Sequence, residues 1–360
     1  MTVDTPAPRA GDPAPAAGDG ADSLLLQLFP TARRKLPFLR LGSAPTPVRQ
    51  LTDLPGGGPE VWVKDESRYG GPWGGNKVRK LEWILPDVQR RHRRTILTFG
   101  ALGTNHGLAT ALYARELGIS TAVALVDQPV DAHVRAQLDR LRASGATLHF
   151  THTPARTTAV APLLIARHCS PLPPYVLPAG GSSPIGTLGY VEAGLELAAQ
   201  IRAGELPEPE RVFVAVGSGA TAAGLALGLR MAGLRISVTG VVVNDLLRLD
   251  LRSLQRLARR AARLLRRRGA VVDSDYERIG AQLDVTRRWL GAGYGEPTAE
   301  SREALRTAAA RGLELDPVYT AKAFAAVLGE REESRAGDGP WLFLQTHGPR
   351  TDGPPPDAAG

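Results

Sequence analysis

Cysteine is nearly missing from this 360-residue chain. Cys169 stands alone, so neither an intrachain disulfide nor a cysteine-cluster metal site can form, and a reducing, cytoplasmic setting is expected. The seven histidines show no HxxxH spacing, and no metal is expected. No apolar run approaches the length of a membrane span. Leu24-Leu25-Leu26-Gln27-Leu28-Phe29 is too short for a signal-peptide core, so neither membrane nor export is expected. Lysine is scarce in a more informative way: 39 arginines accompany only five lysines, Lys35, Lys64, Lys77, Lys80 and Lys322. A guanidinium stays protonated, whereas a desolvated amine can lose its proton and attack a carbonyl. Lys77 sits in Gly74-Gly75-Asn76-Lys77-Val78-Arg79-Lys80-Leu81-Glu82, between a glycine-rich turn and a helical pattern. That placement suggests amine chemistry, although a surface lysine at a helix start explains the segment by itself.

The formal charge is +8 and the pI about 10, values that raise nucleic acid as a partner. The densest basic run, 248–268, argues against it. Leu247, Leu251, Leu254 and Leu265, with Ala258 and Ala261, fall on one helical face and the arginines largely on the others. This is the pattern of a solvated amphipathic helix over 246–268, and no nucleic-acid partner is expected.

Residues 1–22 hold almost no large apolar side chain and are expected to be disordered, as is the Pro-rich tail 349–360. Between them, short apolar runs at 61–63, 95–99, 121–126, 147–150, 212–216, 236–243 and 341–344 alternate with helical patterns. The alternation predicts an α/β fold of two three-layer α/β/α domains with mostly parallel sheets. A smaller domain, 80–183, is inserted between 23–79 and 184–348, which build a larger one, and a ligand is expected in the cleft between them.

Three strand ends carry candidate chemistry. Val216-Gly217-Ser218-Gly219-Ala220-Thr221 is a glycine-rich turn opening a helix, where backbone N–H groups and hydroxyls make an anion site. The same turn fits a loose dinucleotide fingerprint, with Asp245 as ribose acid, so phosphate is indicated without saying which. Gly103-Thr104-Asn105-His106-Gly107 sets a hydroxyl, an amide and an imidazole at a helix start, able to hold a carboxylate or phenolic oxygen or simply to cap the helix. Gln345-Thr346 ends the last strand, and if that strand belongs to the main sheet Thr346 sits at the same carboxyl edge as the phosphate turn. Two loop tyrosines, Tyr294 in Gly-Tyr-Gly and Tyr319 in Asp-Pro-Val-Tyr, offer phenols as proton donors.

The order of these motifs, with Pro178-Ala179-Gly180-Gly181-Ser182 between the second and the phosphate turn, resembles one family over roughly 36–348. This is the D-cysteine desulfhydrase and 1-aminocyclopropane-1-carboxylate deaminase family of pyridoxal-phosphate enzymes, with a tryptophan-synthase-β-like fold. The resemblance implies that Lys77 holds pyridoxal phosphate covalently and that Asn105 bonds its phenolic oxygen. It implies that Gly217, Ser218, Gly219, Ala220 and Thr221 hold its phosphate, and that Thr346 presents a neutral hydroxyl to its pyridine nitrogen. Thr104, Asn105 and His106 face the substrate; Lys77, Thr104, Tyr294 and Tyr319 supply proton transfers. A homodimer acting on a small amino acid is implied in the same way.

The chain also departs from the family pattern. Gly103-Thr104 stands where the family carries Gln-Ser, and His347 stands for a glycine near the cofactor edge. Thr320 follows Tyr319, as in the desulfhydrase branch, where the cyclopropane-opening branch has Glu. The resemblance therefore implies an α,β-eliminating lyase of the D-cysteine desulfhydrase kind. The alternatives are serine or threonine dehydration, deamination of the cyclopropane substrate, β-replacement and, from another class, a nicotinamide-dependent oxidoreductase, which leaves Lys77 idle.

Overall fold

A computed structural model of the chain describes residues 23–71, 73–273, 282–334 and 339–346. The expected disordered segment 1–22, the tail 349–360 and His347 lie outside the described residues. Strands β1 (Val48–Leu51), β2 (Val61–Asp65), β7 (Arg211–Val216), β8 (Ser237–Val242), β9 (Leu283–Thr286) and β10 (Trp341–Gln345) form one sheet in the order β1-β2-β10-β7-β8-β9. Strands β3 (Thr95–Ala101), β4 (Ser120–Val126), β5 (Thr147–His152) and β6 (Tyr175–Leu177) form a second, in the order β5-β4-β3-β6. All pairings are parallel except β1 with β2. The helices are α1 (Leu24–Leu28), α2 (Asn76–Arg90), α3 (Asn105–Glu116), α4 (Ala132–Ala143), α5 (Pro154–Arg167), α6 (Pro184–Arg202), α7 (Ala220–Met231), α8 (Leu251–Arg267), α9 (Ala299–Ala309) and α10 (Thr320–Glu333).

The central strands are covered on both faces, which is why they read as unbroken apolar runs. Along β7, Val212, Val214 and Val216 join the core shared with α6, α7 and α8, while Phe213 and Ala215 join a separate core with α9 and α10. In the second sheet, Ile96 packs toward α2 and α3, and its neighbour Leu97 toward Leu164 of α5. Close helix contact depends on glycine. A Cβ at Gly189 of α6 would lie 2.1 Å from the carbonyl oxygen of Arg79 in α2, so only glycine permits that approach.

Helix α2, which begins next to Lys77, is charged yet buried: Arg79, Lys80, Glu82 and Asp87 are all inside. Arg79 Nη2 donates to Glu66 at 2.9 Å and Glu196 at 3.0 Å, and Lys64 Nζ reaches Glu196 at 2.7 Å. Burial pushes the Glu196 carboxyl up, but Arg79 and Lys64 outweigh it and hold it at about 2. Such a network adds little net stability against an apolar equivalent. Its consequence is geometric: it ties α2 to β2 and α6 and so sets where Lys77 points.

The Arg-rich helix starts later than its periodicity predicts, at Leu251, because Asp250 caps it through the Ser253 N–H and Ser253 caps back. Leu254, Ala258, Ala261, Ala262 and Leu265 are its buried face. Leu247 belongs to the preceding loop and not to that face.

Candidate active site

The carboxyl ends of β3, β7, β8 and β10 meet around Lys77, the edge at which parallel sheets bind ligands. Gly75 adopts φ 95°, and Asn76 and Lys77 open α2 directly after it. The Asn76 N–H donates to the carbonyl of Thr346 at 2.9 Å, so the end of β10 caps the helix that carries the lysine. Asn76 Nδ2 also donates to Thr221 Oγ1 at 3.1 Å, linking the lysine segment to the glycine-rich turn.

Lys77 lines a cavity of about 490 Å³ and an adjoining compartment of about 20 Å³. Burial lowers its amine to about 8, and only Asp316 opposes that. Two further bases crowd it. Lys80, buried, donates to the carbonyl of Gly180 at 3.0 Å, and burial followed by the charge of Lys77 holds it well below the ordinary lysine range. His106 is buried with no partner for Nε2, and burial, then Lys77 and Lys80, keep its imidazole neutral. Three bases so close do not all carry charge, which favours the free amine.

The turn from Gly217 to Thr221 lies where β7 passes into α7. Gly219 needs its glycine for φ 100°, whereas Gly217 needs it for space, since a Cβ there would sit 2.8 Å from the ring of Tyr319. Asn244 Nδ2 holds the Gly217 carbonyl at 2.9 Å. Ser182 Oγ donates to Ser218 Oγ at 2.8 Å and accepts the Ala220 N–H at 3.2 Å. The N–H of Ala220 is thus engaged, while the first-turn N–H groups of Thr221 and Ala222 have no carbonyl within the helix to reach. Gly217, Ser218, Gly219, Thr221 and Thr346 line the smaller compartment with Asn76, Lys77 and Asn105.

Thr104 does both things its position allowed. Its Oγ1 caps α3 by accepting the Gly107 N–H at 3.1 Å, and the residue also lines the large cavity. A Cβ at Gly107 would come 2.6 Å from the Thr104 methyl, so the extra methyl is accommodated by the glycine that accompanies it. Asn105 Oδ1 accepts from the buried Gln137 Nε2 at 2.5 Å. That bond occupies the amide oxygen and leaves the NH₂ as the donor.

Tyr294 and Tyr319 face each other with hydroxyls 2.5 Å apart and rings at 69°. Burial pushes the Tyr294 phenol up to about 12 and that of Tyr319 well above its ordinary value, so both are neutral acids at pH 7. Asp245 Oδ1 accepts the Tyr294 N–H at 2.9 Å. Asp245 thus positions the tyrosine of the Gly-Tyr-Gly loop. Thr320 turns inward, donating to Asp316 Oδ2 at 2.6 Å.

The structure thus brings Lys77, Thr104, Asn105, His106, Gly217, Ser218, Tyr294 and Tyr319 to one cavity. Sequence reasoning did not single out Gln137, Asn244, Asp316 or the side chain of Asn76. Asn76 had a signal, its place beside Lys77. Asp316 stands in the Asp-Pro-Val-Tyr motif read only for its tyrosine, and Gln137 and Asn244 come from distant segments with no motif of their own. Among the described residues, no cluster able to hold a metal ion occurs and no helix is long and apolar enough to cross a membrane.

A family profile described as pyridoxal-phosphate dependent enzyme matches residues 39–344. D-cysteine desulfhydrase of Salmonella paratyphi A is 33% identical over 325 residues, 87% of this chain and 94% of that protein. The enzyme of the same name from Salmonella choleraesuis is 33% identical over 323 residues, with the same coverage. Among solved structures, an ACC deaminase homologue superposes with a TM-score of 0.71 at 29% identity, covering 88% of this chain and 93% of its own. Threonine deaminase isoform 2 of Solanum lycopersicum, at 15% identity and a TM-score of 0.61 over 95% of this chain and 87% of its own, shares the fold.

Proposed function

The chain belongs to the pyridoxal-phosphate dependent enzymes, and from that premise we propose a lyase that eliminates the β-substituent of a small amino acid, as a D-cysteine desulfhydrase does. The products are the freed substituent, a keto acid and ammonia. The observation that carries the reading is Lys77: a half-buried lysine whose amine is lowered to about 8, at the junction of an anion-binding turn and a largely apolar cavity.

The residues present fit the cofactor. The turn from Gly217 to Thr221 offers N–H groups and hydroxyls to a phosphate, and Ala220 contributes backbone shape more than a free donor. Asn105, its oxygen already bonded, offers an N–H to a phenolic oxygen. Thr346 brings no charge to the sheet edge where a pyridine nitrogen would lie. When bound, pyridoxal phosphate supplies the electron sink that makes an α-proton acidic. The chain supplies the rest. Lys77 would hold the cofactor, and its free amine, lowered to about 8, is a base of suitable strength for that proton. Thr104, Asn105 and His106, at the start of α3, receive the carboxylate. The Tyr294–Tyr319 pair is a neutral acid that can protonate a leaving group.

We further propose a cytoplasmic homodimer, supported by the single free Cys169 and by the family resemblance. The test is spectroscopic and chemical. The purified protein should carry the visible absorbance of a lysine-linked cofactor, lost in Lys77→Ala, and should release keto acid and ammonia from a D-amino acid with a β-leaving group. A colourless native protein, or a Lys77→Ala variant that keeps the absorbance, would refute it.

A further inference from the structure

The outer part of the cavity presents apolar side chains that the short polar side chain of cysteine does not use. Its polar groups gather at one end, around Lys77, Asn105 and Ser218, where the adjoining small compartment takes up the phosphate turn and Thr346. The remainder runs outward between the two sheets. Phe99 and Val126 end β3 and β4, Ala161 and Val176 come from α5 and β6, and Leu246 and Leu247 come from the loop after β8. Val176, Leu246 and Leu247 are 45%, 42% and 37% exposed, so three large apolar side chains from both sides of the cleft converge on one open mouth.

Polar recognition is missing from that outer part. Of the described residues lining the cavity, only Lys77 and His106 carry a basic side chain and none a carboxylate, and both bases belong to the inner end. The two threonines of α5 that reach the wall, Thr157 and Thr158, already donate their hydroxyls to the carbonyls of Thr153 and Pro154, at 2.9 and 3.0 Å. A carboxylate or sulfonate on the substrate side chain would therefore meet no charged partner among the described residues of that wall. The cavity of about 490 Å³ has to hold the cofactor at its inner end as well as the substrate, so only the outer, apolar part is left to the substrate side chain.

Resting on the lyase reading above, the geometry points to a substrate whose β-substituent carries an apolar alkyl or aryl group: an S-substituted cysteine, cleaved as a thioether. The α-proton leaves to the base, and the Cβ–S bond breaks with its electron pair on sulfur. The thiolate takes a proton and departs as a thiol. The remaining enamine takes up water to give pyruvate and ammonia, so one water is consumed and nothing is oxidised or reduced.

Both enantiomers of cysteine and S-benzylcysteine, assayed for pyruvate with the holoenzyme, test this. Two analogues that cannot eliminate, 2-aminobutyrate and 2-amino-5-phenylpentanoate, are titrated calorimetrically in parallel. The expected result is a kcat/KM at least tenfold higher for S-benzylcysteine than for cysteine, with the phenyl analogue binding at least tenfold more tightly than 2-aminobutyrate. Leu247→Glu, which sets a charge in the mouth, should cut the S-benzylcysteine-to-cysteine ratio by tenfold or more. Cysteine as the better substrate together with equal binding of the two analogues would overturn the inference and leave the lyase reading standing. Tight binding of the phenyl analogue with no elimination from any cysteine derivative would overturn the lyase reading instead.

Discussion

The lowered amine of Lys77 makes capture of the cofactor by cofactor-free protein a direct measure of the site's electrostatics. Only the neutral amine attacks an aldehyde, so the capture rate follows the neutral fraction. With the amine at about 8 in place of 10.5, roughly a tenth of Lys77 is neutral at pH 7, against about 0.03% of an unperturbed lysine. The sign follows from the cause: burial penalises the ammonium, so the proton leaves at lower pH than in water. Between pH 6.5 and 9.5 the neutral fraction climbs about 30-fold and levels off above 8, whereas an ordinary lysine would gain about 900-fold with no plateau. Stopped-flow mixing with pyridoxal phosphate, followed by absorbance across that range, separates the two curves. Asp316 is the carboxylate that favours the ammonium, so Asp316→Asn should move the midpoint below 8. A rate still rising steeply at pH 9.5, or a midpoint that moves upward in Asp316→Asn, refutes the account of how this lysine is activated.

Two other perturbations probe the support around the site. Gln137→Leu leaves Asn105 Oδ1 buried without its donor, a loss of about 1–3 kcal/mol, so the cofactor concentration for half-saturation should rise roughly tenfold at unchanged fold. If Gln137 acts by orienting Asn105, it should add little to Asn105→Ala in a double-mutant cycle, and additive effects would sink that role. Gly189→Ala forces a methyl to within 2.1 Å of the Arg79 carbonyl, with backbone atoms on every near side. It should cost about 3 kcal/mol in urea unfolding, whereas Gly57→Ala, with nothing near it, should cost under ~0.5; equal midpoints would show that the α2–α6 contact yields.

What could be read from the sequence was what is local. The apolar runs that become β7 and β10 alternate between two cores, and covered strands of that kind leave a plain signature. β1, β6 and β9 escape because they are edge strands of only three or four residues, too short to show a period. The glycine turn at 217 was legible as an anion site, but its ambiguity was not removable locally. Its surroundings depend on Asp245, whose carboxylate goes to the Tyr294 N–H, and Asn76, whose amide reaches Thr221. Both are contacts between segments far apart in the chain. Thr104 shows the converse case: helix cap and ligand contact are alternatives in the sequence, yet one hydroxyl oxygen caps α3 while the same residue faces the cavity.

The scarcity of lysine reaches further than Lys77. Of the five, Lys35 is exposed, and Lys64, Lys80 and Lys322 are buried with named acceptors. Lys64 donates to Glu196 and Gln200, Lys80 to the Gly180 carbonyl, and Lys322 to the carbonyls of Leu290 and Gly293 at 2.6 and 2.9 Å. Lys64 also reaches the Thr46 carbonyl at 3.2 Å, ahead of β1; the other acceptors lie on segments that shape the site: α6 behind the lysine helix, the turn that meets Ser218, and the loop that carries Tyr294. A compact ammonium with three rotatable donors can gather carbonyls converging on a point, which a planar fork cannot do. In a chain that otherwise uses arginine for positive charge, buried lysine therefore marks positions where geometry demands a point donor or chemistry demands a removable proton. Lys77 alone among the four faces the cavity, and it is the one whose amine stays free for the second purpose.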